Sequence, residues 1–349
     1  MAEPSVILGR VLRVAPGPGD ADEDADAEHT AADFSLRVSA PPRRPYVLAA
    51  GPNCVLAHFS VAPFHGMNFA PHPQDSNLVL ARQFHRAGGA TSCTADRVRV
   101  NNRPGAMPVI LNLLSVGLAS SYDGAYVIAE LQVDRGSDRA KLFRFLWNSD
   151  QWHEDEVFYP LSAHDREWVP SGVVADGDMK LWWFDLSWGL LSYYSTSTAD
   201  KLLFHCLPEG RTLDATQPEI HHRRCITVCR GQLRYVEIIP GDGHGIGAAT
   251  VSLWTRIPTP DGSGETAGWY RAYEMSFAEI WNDDSYKRTG LPVNELPVLA
   301  ALRPTDPDVV YFALDQHLFG VNVPLHRVVE FVDEPSCRDI LPWFLPPQI

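Results

Sequence analysis

Three segments of this chain share one form, a turn that ends in glycine followed at once by an alternating, strand-forming run. The turns are Asp123-Gly124, Asp176-Gly177 and Arg230-Gly231, followed by AYVIAELQV, DMKLWWFDL and QLRYVEII. Their glycines lie 53 and 54 residues apart. A repeat of roughly 40 to 50 residues, with about four strands in each unit, is typical of β-propeller blades. The spacing therefore predicts an all-β, propeller-like fold of about six blades, within a range of five to seven.

The segment Val173–Pro208 indicates what one unit contains. Its short apolar and aromatic runs are separated by turns at Asp176-Gly177, Trp188-Gly189 and Ser195–Asp200. Similar runs occur before and after it, and they have almost no helical periodicity. The one helix we predict is Ser276–Trp281, which begins with the Ser-x-x-Glu spacing of a capping box. Because three turns are few for a period, paired β-sandwiches are the alternative fold.

We expect residues 1–349 to form a single domain that carries one acidic loop. Ser5–Val14 alternates as a first strand does, and Phe34–Val38 is its predicted partner strand. Between them, residues 16–30 contain six acidic side chains among alanines and glycines. So dense a run of like charges cannot bury apolar surface. We therefore predict that residues 16–30 form a solvated, mobile loop.

Charge and composition oppose several classes of function. The net charge of -14 at pH 7 opposes nucleic-acid binding, which requires a basic face. No segment approaches the roughly 20 apolar residues of a membrane span, and the N-terminus lacks the pattern of a signal peptide. Six cysteines are too few for a disulfide scaffold, so we predict reduced thiols and a cytoplasmic or nuclear location.

Two patterns resemble metal or cofactor sites, and neither meets the geometric requirement. Cys225 and Cys229 fall in strand sequence, where they would lie about 13 Å apart along the strand, too far to share one zinc ion. Gly241–Gly247, GDGHGIG, resembles a dinucleotide fingerprint, but a strand follows it instead of the helix that holds the phosphates. We therefore predict core cysteines, a hairpin loop at Gly241–Gly247, and no metal or cofactor. The neighbouring histidines, read as loop residues, are His205, His221 and His222.

The candidate carboxylates and aromatic residues also have structural interpretations. Residues 153–156, HEDE, lie between two strand-like runs and predict an exposed turn. Asp185 is expected to anchor backbone N–H groups of the turn at Ser187–Gly189 and not to bind a ligand. Neighbouring rings are expected to pack between adjacent blades, since this burial is their usual role in propellers. These rings belong to Trp182, Trp183, Phe184, Trp188, Tyr193 and Tyr194. No catalytic residue is predicted.

The order of several blocks between Val173 and the C-terminus is distinctive. The blocks are ADGDMKLWWFDLSWGLLSYY, RCITVCRGQLRYVEI, VSLWTR, WYRAYEMSFAEIW, YKRTGLPVNELPVLAALRPTDPDVVYFAL and FLPPQI. In this order they resemble a plant family expanded in the grasses, the domain of unknown function 1618. The resemblance implies a propeller-like all-β fold without an assigned activity, catalytic residue or cofactor. It therefore transfers no site residue.

Two functions from different classes fit these observations. The first is a non-enzymatic scaffold whose blades and long loops bind a protein partner. The alternative is a small-molecule binder or hydrolase that uses the propeller channel or top face. Polar residues far apart in sequence could converge there, so a motif search does not exclude it. We favour the scaffold, because no chemical constellation is found in the sequence.

Overall fold

The structure is a computed structural model. It describes residues 5–9, 44–52, 54–60, 77–87, 90–98, 110–121, 123–149, 151–177, 179–194, 201–241, 248–257, 268–333 and 340–344. The acidic segment 16–30 and the predicted strand Phe34–Val38 lie outside these ranges, as do residues 242–247 of the glycine-rich loop.

Five antiparallel sheets of four consecutive strands follow one another along the chain. The first blade comprises β2 (Arg44–Gly51), β3 (Cys54–Ser60), β4 (Asn77–Ala87) and β5 (Ala90–Val98). The second comprises β6 (Val116–Ser120), β7 (Tyr126–Val133), β8 (Arg139–Leu146) and β9 (Trp152–Phe158). The third comprises β10 (Gly172–Ala175), β11 (Lys180–Asp185), β12 (Gly189–Tyr194) and β13 (Leu203–Cys206). The fourth comprises β14 (Arg224–Cys229), β15 (Gln232–Ile239), β16 (Thr250–Arg256) and β17 (Trp269–Ser276). The fifth comprises β18 (Val298–Leu302), β19 (Val309–Leu314), β20 (His317–Asn322) and β21 (Arg327–Asp333).

This arrangement is a five-bladed β-propeller, at the lower end of the predicted range of blade numbers. The first strands of successive blades contact one another in the order β2, β6, β10, β14 and β18. The prediction of a propeller-like all-β fold is therefore confirmed.

A two-stranded sheet closes the ring between the first and fifth blades. It pairs β1 (Ser5–Gly9) with β22 (Ile340–Phe344), and β22 contacts the inner strands β2 and β18. Of the predicted strand Ser5–Val14, residues Ser5–Gly9 are described and form β1, and residues 10–14 lie outside the described ranges. The described partner strand of β1, β22, comes from the other end of the chain, and the predicted partner Phe34–Val38 lies outside the described ranges.

The alternation of side chains along β11 explains how blades pack. Trp183 belongs to the apolar cluster shared with the second blade, and Trp182 and Phe184 belong to the cluster shared with the fourth blade. Successive side chains of a strand point to opposite faces, so one aromatic strand fills two inter-blade cores. Five of the six predicted core rings are buried, whereas Tyr194, the last residue of β12, is 45% exposed.

The three repeated glycines lie between the first and second strands of the second, third and fourth blades. Gly124 and Gly231 have φ angles of 92° and 70°, a region that favours glycine. In the fifth blade the same connection is residues 303–308, which contain no glycine. The sequence period therefore ends there although the architecture continues.

Helices occur in the connection between the fourth and fifth blades. Helix α1 (Phe277–Asn282) has Ser276 as its N-cap and the complete capping box with Glu279, which confirms the predicted helix. A second helix, α2 (Asp284–Lys287), follows directly and was not predicted. Single 3-10 turns are formed at Leu113–Ser115 and Ile220–His222. No helix within the described ranges is long and apolar enough to cross a bilayer.

Close packing between inner strands predicts the effect of one substitution. A Cβ atom on Gly117 of β6 would lie 2.5 Å from Val173 Cγ1 and 3.0 Å from Leu181 Cδ2 of the third blade. We expect Gly117→Val to lower the free energy of unfolding by about 2 kcal/mol, measured by urea denaturation, because overpacked cores lose this much. Gly177→Ala is the matched control, since its added Cβ would meet no atom within 4 Å. Equal losses in the two variants would contradict the described packing.

Candidate functional site

The sixth residue after each repeated glycine is a buried polar or aromatic group. These residues are Glu130, Trp183 and Glu237, with exposed fractions of 0%, 0% and 5%. Trp183 Nε1 donates a hydrogen bond of 2.8 Å to the carbonyl oxygen of Ser115, which directly precedes the second blade. The two glutamates bind segments that lead into their own blades. The equivalent positions therefore join blades to the connections between them.

Glu130 on β7 receives three hydrogen bonds from neutral donors. The backbone N–H groups of Leu111 and Asn112 both donate to its Oε1 at 2.7 Å, and Gln132 Nε2 donates to its Oε2 at 2.7 Å. Burial raises the pKa of Glu130 to about 7, although the three donors oppose this shift. Glu130 is thus a carboxyl group that binds a proton near neutral pH.

Glu237 on β15 is held instead by two arginines. Arg224 Nη2 lies 2.7 Å from Glu237 Oε1, and Arg211 Nε lies 3.6 Å from Oε2. Arg224 Nη1 also donates to the carbonyl oxygens of Leu186 and Arg211, each at 2.8 Å. The ion pair therefore binds the third blade, the connection after it and the fourth blade together. A carboxylate held in this way is a structural anchor.

Asp185 has the structural contacts predicted from the sequence. Its Oδ1 accepts hydrogen bonds from Ser187 N at 2.8 Å and Ser187 Oγ at 2.5 Å, and its Oδ2 accepts one from Val169 N at 3.2 Å. Arg166 donates to Ser187 Oγ and to the carbonyl oxygen of Leu213. The side chain thus fixes the turn between β11 and β12.

The most enzyme-like geometry is a buried cluster that the sequence analysis missed. Ser192 Oγ lies 2.7 Å from His205 Nε2, and Arg256 Nη2 lies 2.9 Å from His205 Nδ1. Ser192 and His205 are 1% and 5% exposed. They lie on the paired strands β12 and β13, so the prediction that His205 is a loop residue was wrong. Arg256 comes from the next blade. No sequence signal identifies the cluster, because its members are brought together only by strand pairing and blade packing.

Proton placement in this cluster is opposite to that of a catalytic Ser-His pair. A guanidinium has only donors, so Arg256 must donate to His205 Nδ1. The neutral ring then carries its hydrogen on Nε2 and donates it to Ser192 Oγ. A nucleophilic serine needs the reverse, an Nε2 that accepts the hydroxyl proton while a carboxylate binds Nδ1. Ser192 is therefore not activated for attack.

Cations and an indole ring complete the surroundings of this cluster. Lys180 Nζ lies 4.1 Å and Arg256 Cζ lies 4.8 Å from the centre of the Trp182 ring. Trp182 Nε1 donates to Asp176 Oδ2 at 2.9 Å. Each contact is of the cation–π or hydrogen-bonding type that stabilises packed blades. The cluster joins the third and fourth blades.

Residues 153–156 do not form the predicted exposed turn. They lie within β9, the outermost strand of the second blade. Arg144 Nη2 lies 2.7 Å from Asp155 Oδ2, and Lys141 Nζ lies 3.7 Å from Glu154 Oε1. The basic side chains of β8 thus balance the acidic ones opposite, and an outer strand can keep such charges in water. The turn prediction was wrong because charge was read as a sign of a loop.

The remaining candidates are dispersed. Cys225 and Cys229 lie on β14, and Cys229 Sγ donates to the carbonyl oxygen of Arg303 at 3.2 Å. His221 packs against His222, with ring centres 4.3 Å apart. The glycine-rich segment connects the paired strands β15 and β16, as predicted for a hairpin. Across the described ranges, no three His, Cys, Asp or Glu side chains are grouped to hold a metal ion.

The chain was compared with known families and proteins. Residues 183–311 match the family described as Protein of unknown function (DUF1618). The resemblance found in the sequence is thus confirmed over this segment, which begins in β11 and ends in β19. The DUF1618 segment contains Asp185, Ser192, His205, Glu237 and Arg256, whereas Glu130 precedes it. Comparison with curated proteins finds no match.

Several solved propeller structures are similar at low identity. The α-L-arabinanase of Penicillium chrysogenum complexed with arabinobiose is 12% identical with a TM-score of 0.35, covering 79% of this chain and 77% of that one. The Cps50 (Swd1) β-propeller domain of Myceliophteria thermophila is 9% identical with a TM-score of 0.37, covering 83% and 86%. The GH93 α-L-arabinofuranosidase of Fusarium graminearum is 10% identical with a TM-score of 0.38, covering 84% and 82%. These TM-scores are below 0.5, so the fold assignment rests on the strand order.

The hydrogen-bond polarity around His205 gives an expected outcome. Ser192 should not react with a fluorophosphonate probe, as judged by mass spectrometry of the intact protein. Ser192→Ala should lower the free energy of unfolding by about 1–3 kcal/mol, because the buried His205 Nε2–H loses its acceptor. Ser149→Ala is the matched control, since its Oγ lies 3.2 Å from His153 Nε2 in an exposed turn. A covalent adduct on Ser192 would contradict the assigned polarity.

Proposed function

We propose that this chain is a non-enzymatic β-propeller that binds a protein partner. The groups best suited to chemistry, Asp185, Ser192, His205 and Glu237, are buried and hold blades and connections together. Their arrangement gives no support to the hydrolase alternative, because Ser192 accepts a hydrogen bond from the histidine that would have to activate it. We therefore place the proposed binding site on the exposed surface.

We base this proposal on the exposed apolar side chains of the outermost strand of the fifth blade, which lie on both faces of its sheet. On β21, Val329, Phe331 and Val332 are 43%, 40% and 42% exposed, and Leu325 just before the strand is 66% exposed. Neighbouring exposed apolar side chains on an edge strand favour contact with another chain. The outermost strand of the first blade differs, since its exposed residues at 94–97 are Thr, Ala, Asp and Arg.

The other parts of the proposal come from composition and from the family. A net charge of -14 favours a protein partner over nucleic acid or an anionic membrane surface. Five cysteines in the described ranges are free thiols, which favours a reducing compartment, the cytoplasm or the nucleus. Plant origin, implied by the resemblance, stays a prediction.

Site-specific photo-crosslinking tests the proposed binding surface. A photoreactive phenylalanine analogue at position 331 should give a discrete crosslinked protein in cells that express the full chain. The same analogue at Thr94, on the polar outer strand of the first blade, is the control and should give none. Phe331→Asp should abolish co-purification of the protein captured at 331. No crosslink from 331, or equal crosslinks from both positions, would contradict the proposal.

A further inference from the structure

The first seam, as we call the core between the first and second blades, encloses a histidine and a glutamate together with the thiol of Cys54. Its apolar members include Leu56 on β3 and Ile128 on β7. His58 lies two residues after Leu56, and Glu130 lies two residues after Ile128. Because side chains two apart on a strand point to the same face, both titratable groups face the first seam. His58 is 1% exposed and Glu130 is 0% exposed.

The segment 110–115, which leads from the first blade into the second, is fastened by Glu130. Both hydrogen bonds from Leu111 N and Asn112 N end on one oxygen of this carboxyl group. All three of its donors are neutral amides, whereas the repeat-equivalent Glu237 is bound by arginines. A buried carboxyl group without a cationic donor favours its neutral form, and exposure to water favours the ionised form.

We propose that the first seam is a proton-linked joint, in which Glu130 is neutral while segment 110–115 is closed and ionises when this segment opens. His58 is linked in the opposite sense: at 1% exposure its protonated ring would be cut off from water in the closed seam, and it gains a proton when water reaches it. Opening at Glu130 thus releases a proton, and opening at His58 takes one up.

Other charged groups around the seam are paired. Arg82 on β4 forms an ion pair with Asp96 and lies over the Tyr126 ring, 5.3 Å from its centre. Lys141 on β8 is opposite Gln132 and forms an ion pair with Glu154. Strand β6 and residues 110–115 contain no charged side chain. The buried thiol of Cys54 in this core stays protonated from pH 4 to 8, because burial raises its pKa to about 11. Among the described residues, His58 and Glu130 are therefore the groups that we expect to titrate in this pH range when the joint opens.

The direction in which pH changes the opening equilibrium follows from the pKa shifts of Glu130 and His58. Burial raises the pKa of Glu130 from 4.5 to about 7, so its stabilising contribution is complete below pH 4.5 and is lost as the pH rises to 7. Burial lowers the pKa of His58 from 6.5 to about 4, so its contribution is complete above pH 6.5 and is lost as the pH falls to 4. Each group alone would change the opening equilibrium about 300-fold across its window. Between pH 4.5 and 6.5, Glu130 makes the opening constant rise with pH and His58 makes it fall. The two effects therefore cancel in this range.

Single substitutions should reveal the pH dependence that each group gives to the opening constant, because removing one group leaves the effect of the other. We expect the opening constant of segment 110–115 to vary by only about threefold from pH 4 to 8 in the wild-type chain. In Glu130→Gln it should fall about 100-fold as the pH rises from 4.5 to 6.5, and in His58→Gln it should rise about 100-fold. The measurement is NMR hydrogen exchange of the Leu111 and Asn112 amides, corrected for the intrinsic exchange rate at each pH.

Two further measurements keep the proposal open to contradiction if a variant fails to fold. Glu154→Gln, an exposed glutamate of the same blade, should leave the wild-type profile unchanged. Carbon-13 titration of the Glu130 carboxyl in the wild-type chain should give a midpoint near 7. A titration midpoint near 4.5 for Glu130 would contradict the proposal. So would an opening constant that changes with pH in the same direction in Glu130→Gln and His58→Gln.

Discussion

Each blade of this propeller has apolar residues on both faces of its sheet, and each face needs a neighbour. On β11 the alternation of Trp182 and Trp183 sends one ring into each adjacent core. A linear row of such sheets would leave two faces in water, at about 25 cal/mol for each Å² of apolar area. The ring removes both unpaired faces, and the pairing of β1 with β22 lies at the point of closure. The fold therefore depends on a contact between residues more than 330 positions apart.

Polar groups between the blades hold connections in place within this ring. One repeat position is occupied by Glu130, Trp183 and Glu237, which differ in chemistry. Glu130 accepts hydrogen bonds from neutral amides, the Trp183 indole donates one, and Glu237 forms an ion pair with arginine. Removing one member of such a buried pair leaves its partner unsatisfied, which costs more than the pair contributes. These groups therefore specify which connection meets which blade, and they are unavailable for chemistry. We therefore place the proposed binding function at the outer surface, where the exposed side chains of β21 are apolar and those of β9 are charged.

Local features of the sequence predicted most of the architecture. Turn glycines report backbone geometry directly, so the second to fourth blades were identified from Gly124, Gly177 and Gly231. The capping box at Ser276 likewise predicted α1, and α2 was missed because four residues give no period. The partner of β1 could not be predicted, since ring closure leaves no local signal. The Ser192–His205–Arg256 cluster was missed for the same reason, because two blades supply its members.

Cysteine cross-linking at the closure tests the central claim that the two ends of the chain pair to complete the ring. Val6 and Trp343 are partners in the antiparallel register of β1 and β22. Val6→Cys with Trp343→Cys should form a disulfide under mild oxidation in the full chain, identified by peptide mass spectrometry, and should raise the midpoint of thermal unfolding. Val6→Cys with Leu341→Cys is displaced by two residues and should not, because Cα atoms more than about 7 Å apart cannot be bridged. Equal cross-linking in both pairs, or none in the first, would contradict closure by these strands.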